Sequence, residues 1–356
     1  MTKVTLDDLV FRRGEWLRGE GPESVIVVST RIRLARNLAD YAFISRASDA
    51  DRKQIRDRVV ETVMASELGD RVFCVDVEEL SELDRQFLVE RHLISRELAE
   101  MKGPRAVIID HDERFSIMVN EEDHIRIQVM QSGLNLAAAW ELAAQIDDVL
   151  ESGLTYAFDD ELGFLTACPT NVGTGMRVSV MMHLPAVVIA RQMENILRSL
   201  QKIDLVVRGL YGEGSQAMGD FYQVSNQVTL GASEQELLDK VGDVVPTIIG
   251  YENKARAFLV EQNEENLQDR VSRALGILCT AKTISSEETM HLLSSVRMGI
   301  ALGLIDKYDI PTINDLFLQT QPAHLQKVYG QELDSADRNI ERANFLRKHL
   351  AGEEAV

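Results

Sequence analysis

The residues best able to do chemistry fall into four short stretches of the 356-residue chain. The densest is Phe115 to Met130, FSIMVNEEDHIRIQVM. Its acidic turn places Glu121, Glu122 and Asp123 beside His124, with Arg126 two residues further on. Three carboxylates, an imidazole and a guanidinium within a few residues can carry chemistry if the rest of the chain supplies partners for them. The same charges also suit a solvated turn. In STRIRLARN, Arg31 and Arg33 stand two apart, so on an extended segment both point the same way. They fit an anion clamp, and equally a basic strand end that balances acidic neighbours. Gly173-Thr174-Gly175 precedes Arg177 in CPTNVGTGMRVSV, where glycines would let a backbone approach an anion closely. With no Lys-Ser/Thr after it and no helix opening there, this is not a P-loop. Finally, RGLYGEGSQA carries Arg208 and Glu213 among Gly209, Gly212 and Gly214. A glycine-rich stretch with an embedded carboxylate suits a lid or an ordinary long hairpin connection.

Positioning these groups requires strands. Ile117 and Val119 share one face of a strand, and Ile125, Ile127 and Val129 share one face of the next, so the acidic turn joins a hairpin. Arg105 to Asp110 extends it to three antiparallel strands. Val25 to Val28 runs as a strand into the Arg31 knot, Val72 to Val75 is another, and strands flank the loop within Leu205 to Val228. Helices are expected over Ser48 to Ser66, Glu82 to Met101 (which carries His92), Leu134 to Glu151, Ala186 to Gln201 and Ser233 to Gln262. From about Asn263 the strand patterns stop. Only helices follow: Glu264 to Thr280, Ser285 to Leu302 and Ser335 to His349. The expected division is a leader over 1–24, a main domain over 25–262 and a small all-helical domain over 263–356.

Composition narrows the function classes. Apolar residues make up 45% and charged residues 27%, as in a soluble globular protein. Lys plus Arg total 38 against 57 for Asp plus Glu, a net charge of −19, which argues against general binding to nucleic acid or anionic membranes. Cys74, Cys168 and Cys279 have no metal-like spacing and imply a reducing compartment. The start, MTKVTLDDLV, lacks a signal-peptide core and no run reaches transmembrane length. A cytoplasmic protein is expected.

Taken together, STRIRLARN, NEEDHIRIQVM, CPTNVGTGMRVSV and RGLYGEGSQA…YQVSNQ resemble, in order and approximate spacing, the motifs of the phosphagen (guanidino) kinases. The resemblance implies an α+β fold, a large antiparallel sheet flanked by helices with ATP lying over it. Two departures place the chain within the family. Only 28 residues precede Ser29, where kinases of free metabolites carry an all-helical domain, and helices are added after Asn263. This layout is similar to the bacterial branch that phosphorylates arginine side chains in proteins. The resemblance therefore implies a protein kinase of the stress response whose products are marked for a Clp-type protease. It also implies ATP with Mg2+ riding on the nucleotide and no protein metal site. Implied partners are proteins with exposed arginine, an activator protein, the protease and a second copy of the chain.

By the same resemblance Glu122 is the principal base, Glu213 the second carboxylate and Cys168 a reactive cysteine that positions the guanidinium. Arg31, Arg33, Arg126, Arg177 and Arg208 are the phosphate clamps, and His92 contacts the nucleotide. The nucleotide site is completed by Ser29, Thr30 and Ile32, by Val178, Ser179, Val180 and Met181, and by Gly209, Leu210, Tyr211, Gly212 and Glu213. In the added helices, Arg338, Asn339, Ile340, Glu341, Arg342 and Ala343 resemble an RDxxRA element that binds phosphoarginine allosterically. Asn339 stands where that pattern has Asp. An i, i+4 spacing puts both arginines on one helix face. Competing functions are a kinase of a free guanidino metabolite, disfavoured by the missing helical domain, and a silent phosphoarginine-binding adaptor, disfavoured by the intact acid and arginine set.

Overall fold

Alternating side chains drive the centre of the chain into one antiparallel sheet. The computed structural model describes residues 4–209 and 218–351. Its strands are β1 (Val27–Arg36), β2 (Val72–Asp76), β3 (Ala106–Asp110), β4 (Phe115–Val119), β5 (Ile125–Ser132), β6 (Phe158–Asp159), β7 (Gly163–Phe164), β8 (Met176–His183), β9 (Leu205–Gly209) and β10 (Phe221–Asn226). Eight of them form a sheet in the order β2-β3-β4-β5-β1-β8-β10-β9, while β6 and β7 pair as a small hairpin. Every neighbouring pair is antiparallel. The fold is the expected α+β arrangement.

The two faces of the sheet bury different partners. Ile32, Leu34, Ile127, Val178 and Val180 point to one side and pack on the helices Asp49–Ala65, Leu136–Gly153 and Glu234–Thr280. Burying an aliphatic side chain of this size is worth about 1.5–3 kcal/mol, so these positions dominate the stability of that layer. Met118, Met130, Met181 and Phe221 point to the other side. They join one apolar cluster with Leu9, Trp16, Phe87, Leu293, Phe317 and Phe345. The C-terminal helices thus share this apolar cluster with the sheet. Within Glu234–Thr280 the chain runs through the expected boundary, and only Asn263 leaves helical dihedrals (φ −150°, ψ 36°). The helices that follow Asn263 cover a sheet face. Two helices that the sequence reading passed over, Ile310–Gln319 and Pro322–Tyr329, each begin with proline in the first turn, where its missing N–H costs nothing.

One expected helix is broken. Glu82–Glu90 and Arg96–Glu100 are separate, and His92 between them takes a left-handed φ of 60°. Ser95 starts the second piece, its hydroxyl accepting from Leu98 N at 3.0 Å. A serine cap offers the backbone an alternative to continuing the helix. His92 is thereby lifted off a helix surface and turned toward the centre of the sheet.

Candidate active site

Strand register decides which side chains meet, because directly opposed residues of antiparallel strands share a face. Arg31 of β1 opposes Ser179 of β8 and Met130 of β5, and Arg33 opposes Arg177 and Gln128. Ala35 opposes Arg126. Gln223 of β10 opposes Met181 and, on its other side, Arg208 of β9. All five clamp arginines therefore emerge on one face, where they line a cleft with His92, Glu121, Glu122 and Cys168. Ser29, Ser179 and Met181 border it. Thr30, Ile32, Val178 and Val180 alternate to the opposite face and are buried. Thr30 there donates to Gly133 O at 2.8 Å and accepts from Asn135 N at 3.0 Å. Of the expected nucleotide-binding runs, those four side chains turn away from the cleft.

The cleft is short of negative charge. Arg31 Nη2 donates to Gln223 Oε1, and Arg177 Nη2 donates to Ser225 Oγ at 3.1 Å. Burial first, then Arg177 and Arg126, push the Arg31 guanidinium down to about 10. Burial also lowers Arg33 well below its ordinary value, helped by Arg31, Arg126 and Arg177. Arg33 Nε and Ser179 Oγ are buried with no partner among the described residues. Crowded guanidiniums with orphaned donors are what a polyphosphate would satisfy. The residues present fit the nucleotide.

The acidic turn divides its work. Glu121 is fully buried, accepting from Arg126 Nη1 at 2.7 Å and from Ser95 Oγ. Asp123, also fully buried, accepts from Asn37 Nδ2 at 2.6 Å and from Ala167 N at 2.7 Å, which ties down the segment leading to Cys168. His124 Nδ1 accepts from Leu38 N at 3.0 Å, and Nε2 donates to Ala42 O at 3.0 Å. Asn120 takes a left-handed φ of 62°, and its amide donates to Arg52 O and Pro104 O at 2.7 and 2.8 Å. Only Glu122 keeps an open side, with 44% of its side chain exposed and a 3.2 Å contact from Arg126 Nη2. Burial raises its carboxyl above the usual value. Arg126 opposes that shift, Asp123 and Glu121 reinforce it, and a hydrogen bond with Cys168 opposes it. Cys168 Sγ also shares a 3.0 Å hydrogen bond with Thr170 Oγ1.

The two glycines beside Arg177 serve the chain itself. A Cβ on Gly173 would lie 2.5 Å from Thr229 O, and one on Gly175 2.6 Å from Ala35 O, so both admit neighbouring backbone. Arg36, the third arginine of the knot, is also structural. It pairs with Asp147 at 2.7 Å and lies 3.5 Å over the Phe164 ring.

The family profile described as ATP:guanido phosphotransferase, C-terminal catalytic domain, matches residues 54–255. A second, described as protein-arginine kinase McsB C-terminal domain, matches residues 264–355. The protein-arginine kinase of Symbiobacterium thermophilum is 48% identical over 349 residues, covering 97% of this chain and 99% of that one. This chain belongs to the protein-arginine kinase family. The family's member from Brevibacillus brevis is 46% identical over 337 residues, 94% of each chain. Among solved structures, lombricine kinase matches with a TM-score of 0.59 at 25% identity, covering 67% of this chain and 69% of that one. The substrate-free duplicated taurocyamine kinase from Schistosoma mansoni matches with a TM-score of 0.58 at 23% identity, over 78% and 45%, and shows the shared fold.

In this protein-arginine kinase chain the remaining expected residues are placed as follows. Gly209 ends β9, while Leu210, Tyr211, Gly212 and Glu213 lie outside the described residues. Arg338 through Ala343 are on the helix Ser335–Leu350. Arg342 is buried and turned inward, donating Nε to Thr320 O at 2.8 Å and Nη1 to Ile284 O and Asn339 Oδ1 at 3.1 and 2.8 Å. Arg338 is half-buried and donates to Leu333 O at 2.7 Å. Ile340 is exposed, Ala343 is buried, and Glu341 accepts from Asn344 at 3.2 Å. The open two-arginine fork expected from the i, i+4 spacing is therefore absent here: packing of the helix takes Arg342 into the core. Gln223 and Ser225, which hold Arg31 and Arg177, were missed in the sequence. Their signal was the two-residue alternation in YQVSNQ.

Proposed function

We propose that this chain transfers the γ-phosphoryl group of ATP to arginine side chains of proteins. The observation that carries this reading is the convergence, on one sheet face, of five arginines with Glu122, the acidic-turn carboxylate that keeps an open side. A guanidinium is cationic and delocalised, hence a poor nucleophile. Glu122 takes its proton, freeing a nitrogen lone pair for the γ-phosphorus, and the P–O bond to the leaving ADP breaks. Glu213 supplies the second carboxylate of the grip, and Cys168, hydrogen-bonded to Glu122, helps position the acceptor nitrogen. Arg31, Arg33, Arg126, Arg177 and Arg208 hold the phosphates and stabilise charge on the oxygens in flight. Mg2+ comes with the nucleotide and neutralises part of the same charge.

The family resemblance supports a wider role for this chain. Phosphoarginine marks proteins for a Clp-type protease and regulates the stress response, an activator protein joins the system, and the chain works as a cytoplasmic homodimer. Among the described residues no helix is long and apolar enough to cross a membrane.

Incubation with labelled ATP, Mg2+ and casein tests the central claim. The expected product is acid-labile, alkali-stable phosphate on casein arginine. Label appearing only on free arginine or creatine would make it a metabolite kinase. A Glu122→Ala variant that still performs the cellular task would make it an adaptor.

A further inference from the structure

The N-terminal segment reaches the nucleotide side of the cleft. Trp16 lies in the short turn Glu15–Leu17 and is only 7% exposed. Its ring meets that of His92 edge to face, with centroids 4.7 Å apart and planes at 86°, an arrangement that aromatic quadrupoles favour. The indole is held from both sides. A Cβ on Gly14 would come within 3.5 Å of Trp16 Cδ1 and Nε1, and Val28, Met181, Phe221 and Phe317 line the space on the core side.

His92 needs that support. A left-handed φ of 60° is uncommon for a residue other than glycine and persists only where surroundings enforce it. Gln128 Nε2, from the cleft floor, donates to the His92 carbonyl at 2.6 Å and fixes the backbone. The ring itself is braced by Trp16. Burial first, then Arg31 and Arg96, lower its pKa to about 3, so the imidazole is neutral at working pH. Beside it Met130 and Met181 offer apolar surface, with Ser29 and Ser179 as polar groups. A neutral ring among methionines suits a flat heteroaromatic base far better than a phosphate.

We propose that Trp16 is a positioning residue for the nucleotide base: it fixes the His92 ring against which the base rests, making the N-terminal segment part of the nucleotide site. The proposal rests on the reading that the cleft takes ATP.

The test uses the full chain and the variants Trp16→Ala, Trp16→Phe, His92→Ala and Trp16→Ala/His92→Ala. Readouts are KM for ATP, KM for casein, kcat, and ADP affinity by calorimetry. Trp16→Ala should raise KM for ATP about tenfold, the upper range for one buried aromatic pair. Its kcat and casein KM should stay within about twofold, and Trp16→Phe should restore most of the ATP affinity. With His92 already alanine, removing Trp16 should add little, since a residue that acts through another shows strong non-additivity. An unchanged KM for ATP in Trp16→Ala overturns the proposal, as do fully additive effects in the double variant. A parallel loss of kcat and both affinities with no rescue by phenylalanine also overturns it, leaving Trp16 a packing residue. If wild-type chain binds no ADP, the nucleotide reading of the cleft fails first and the proposal falls with it.

Discussion

Glu122→Gln is the sharpest test of the proposed base. The amide keeps the size and one acceptor oxygen of the carboxylate but cannot take a proton from a guanidinium. The ATP side should be little disturbed. Arg126 retains its 2.7 Å pair with buried Glu121, whereas its contact with Glu122 is 3.2 Å long and reaches a carboxylate with 44% of its side chain exposed. Losing an ion pair of that kind costs at most about 1 kcal/mol of stability. A general base contributes roughly 10²- to 10⁴-fold, so the barrier should rise by about 3–5 kcal/mol. The pH profile sharpens the test. Burial holds the Glu122 carboxyl above its ordinary value, so the basic form is lost at a higher pH than for an exposed glutamate. The acid limb of kcat/KM in the wild type should therefore lie above the usual carboxylate range, and it should be missing from the residual activity of Glu122→Gln. Initial rates of phosphotransfer to casein between pH 5 and 9, with thermal melts as a folding control, measure both quantities. A variant within threefold of wild-type kcat, or one that keeps the same acid limb, would refute the assignment.

Three other outcomes follow from the same geometry. Arg126→Ala should lower kcat by at least about 10³-fold, in the range of an arginine finger. Because Arg126 opposes the upward shift of Glu122, it should also move the acid limb to higher pH, and unimpaired turnover would remove Arg126 from the clamp. Cys168→Ala removes a hydrogen bond that lowers the Glu122 carboxyl, so its acid limb should likewise shift upward in the casein assay; a stationary limb means that contact has no effect on the base. Glu90 accepts from Ala323 N and His324 N, both at 2.8 Å, and burial raises it from 4.5 to about 7. Its folded pKa exceeds its unfolded one, so its contribution is whole below about pH 4.5 and is lost as pH rises through 7. The loss is about 3 kcal/mol. Melting curves of wild type and Glu90→Gln at pH 5 and 8 should diverge in slope, and parallel curves would exclude Glu90 as the source.

Much of this architecture was legible because strands write their faces into the sequence. Arg31 and Arg33 at i, i+2 had to share a face, and the hairpin around Glu122 showed its apolar side through Ile125, Ile127 and Val129. The same rule, applied strictly, would have excluded Ile32, Val178 and Val180 from ligand contact; the motif resemblance carried whole runs where only alternate residues reach the cleft. Other features were illegible for physical reasons. Nothing local says that Asn37, 86 positions before Asp123, closes onto it at 2.6 Å, because such pairs are set by register between strands distant in the chain. The break at His92 depended on Ser95 acting as a cap, a signal that competes with an otherwise good helical pattern. Arg342 looked like an exposed fork because i, i+4 spacing fixes the side of a helix and leaves open whether that side meets solvent or core.

The face that carries the arginines is also the face that the N-terminal segment and the C-terminal helices cover, and this explains how the site can be so cationic in a chain of net charge −19. Toward the covered part, the cleft-facing positions are apolar: Met118, Met130, Met181 and Phe221. Where the cover stops, the alternation is filled by Arg31, Arg33, Arg177 and Arg208 with Gln223 and Ser225 between strands. The site is thus a gap in an apolar layer, and electrostatic interactions among its buried groups are stronger than on an open surface. Burial lowers Arg31 and Arg33 even though their charge is what the reaction uses. That tension is relieved only when a polyanion enters. The arginines most deprived of water in the cleft are then those that gain most on binding a polyanion, which ties the affinity for nucleotide to how tightly Trp16 and the C-terminal helices close off the rest of the face.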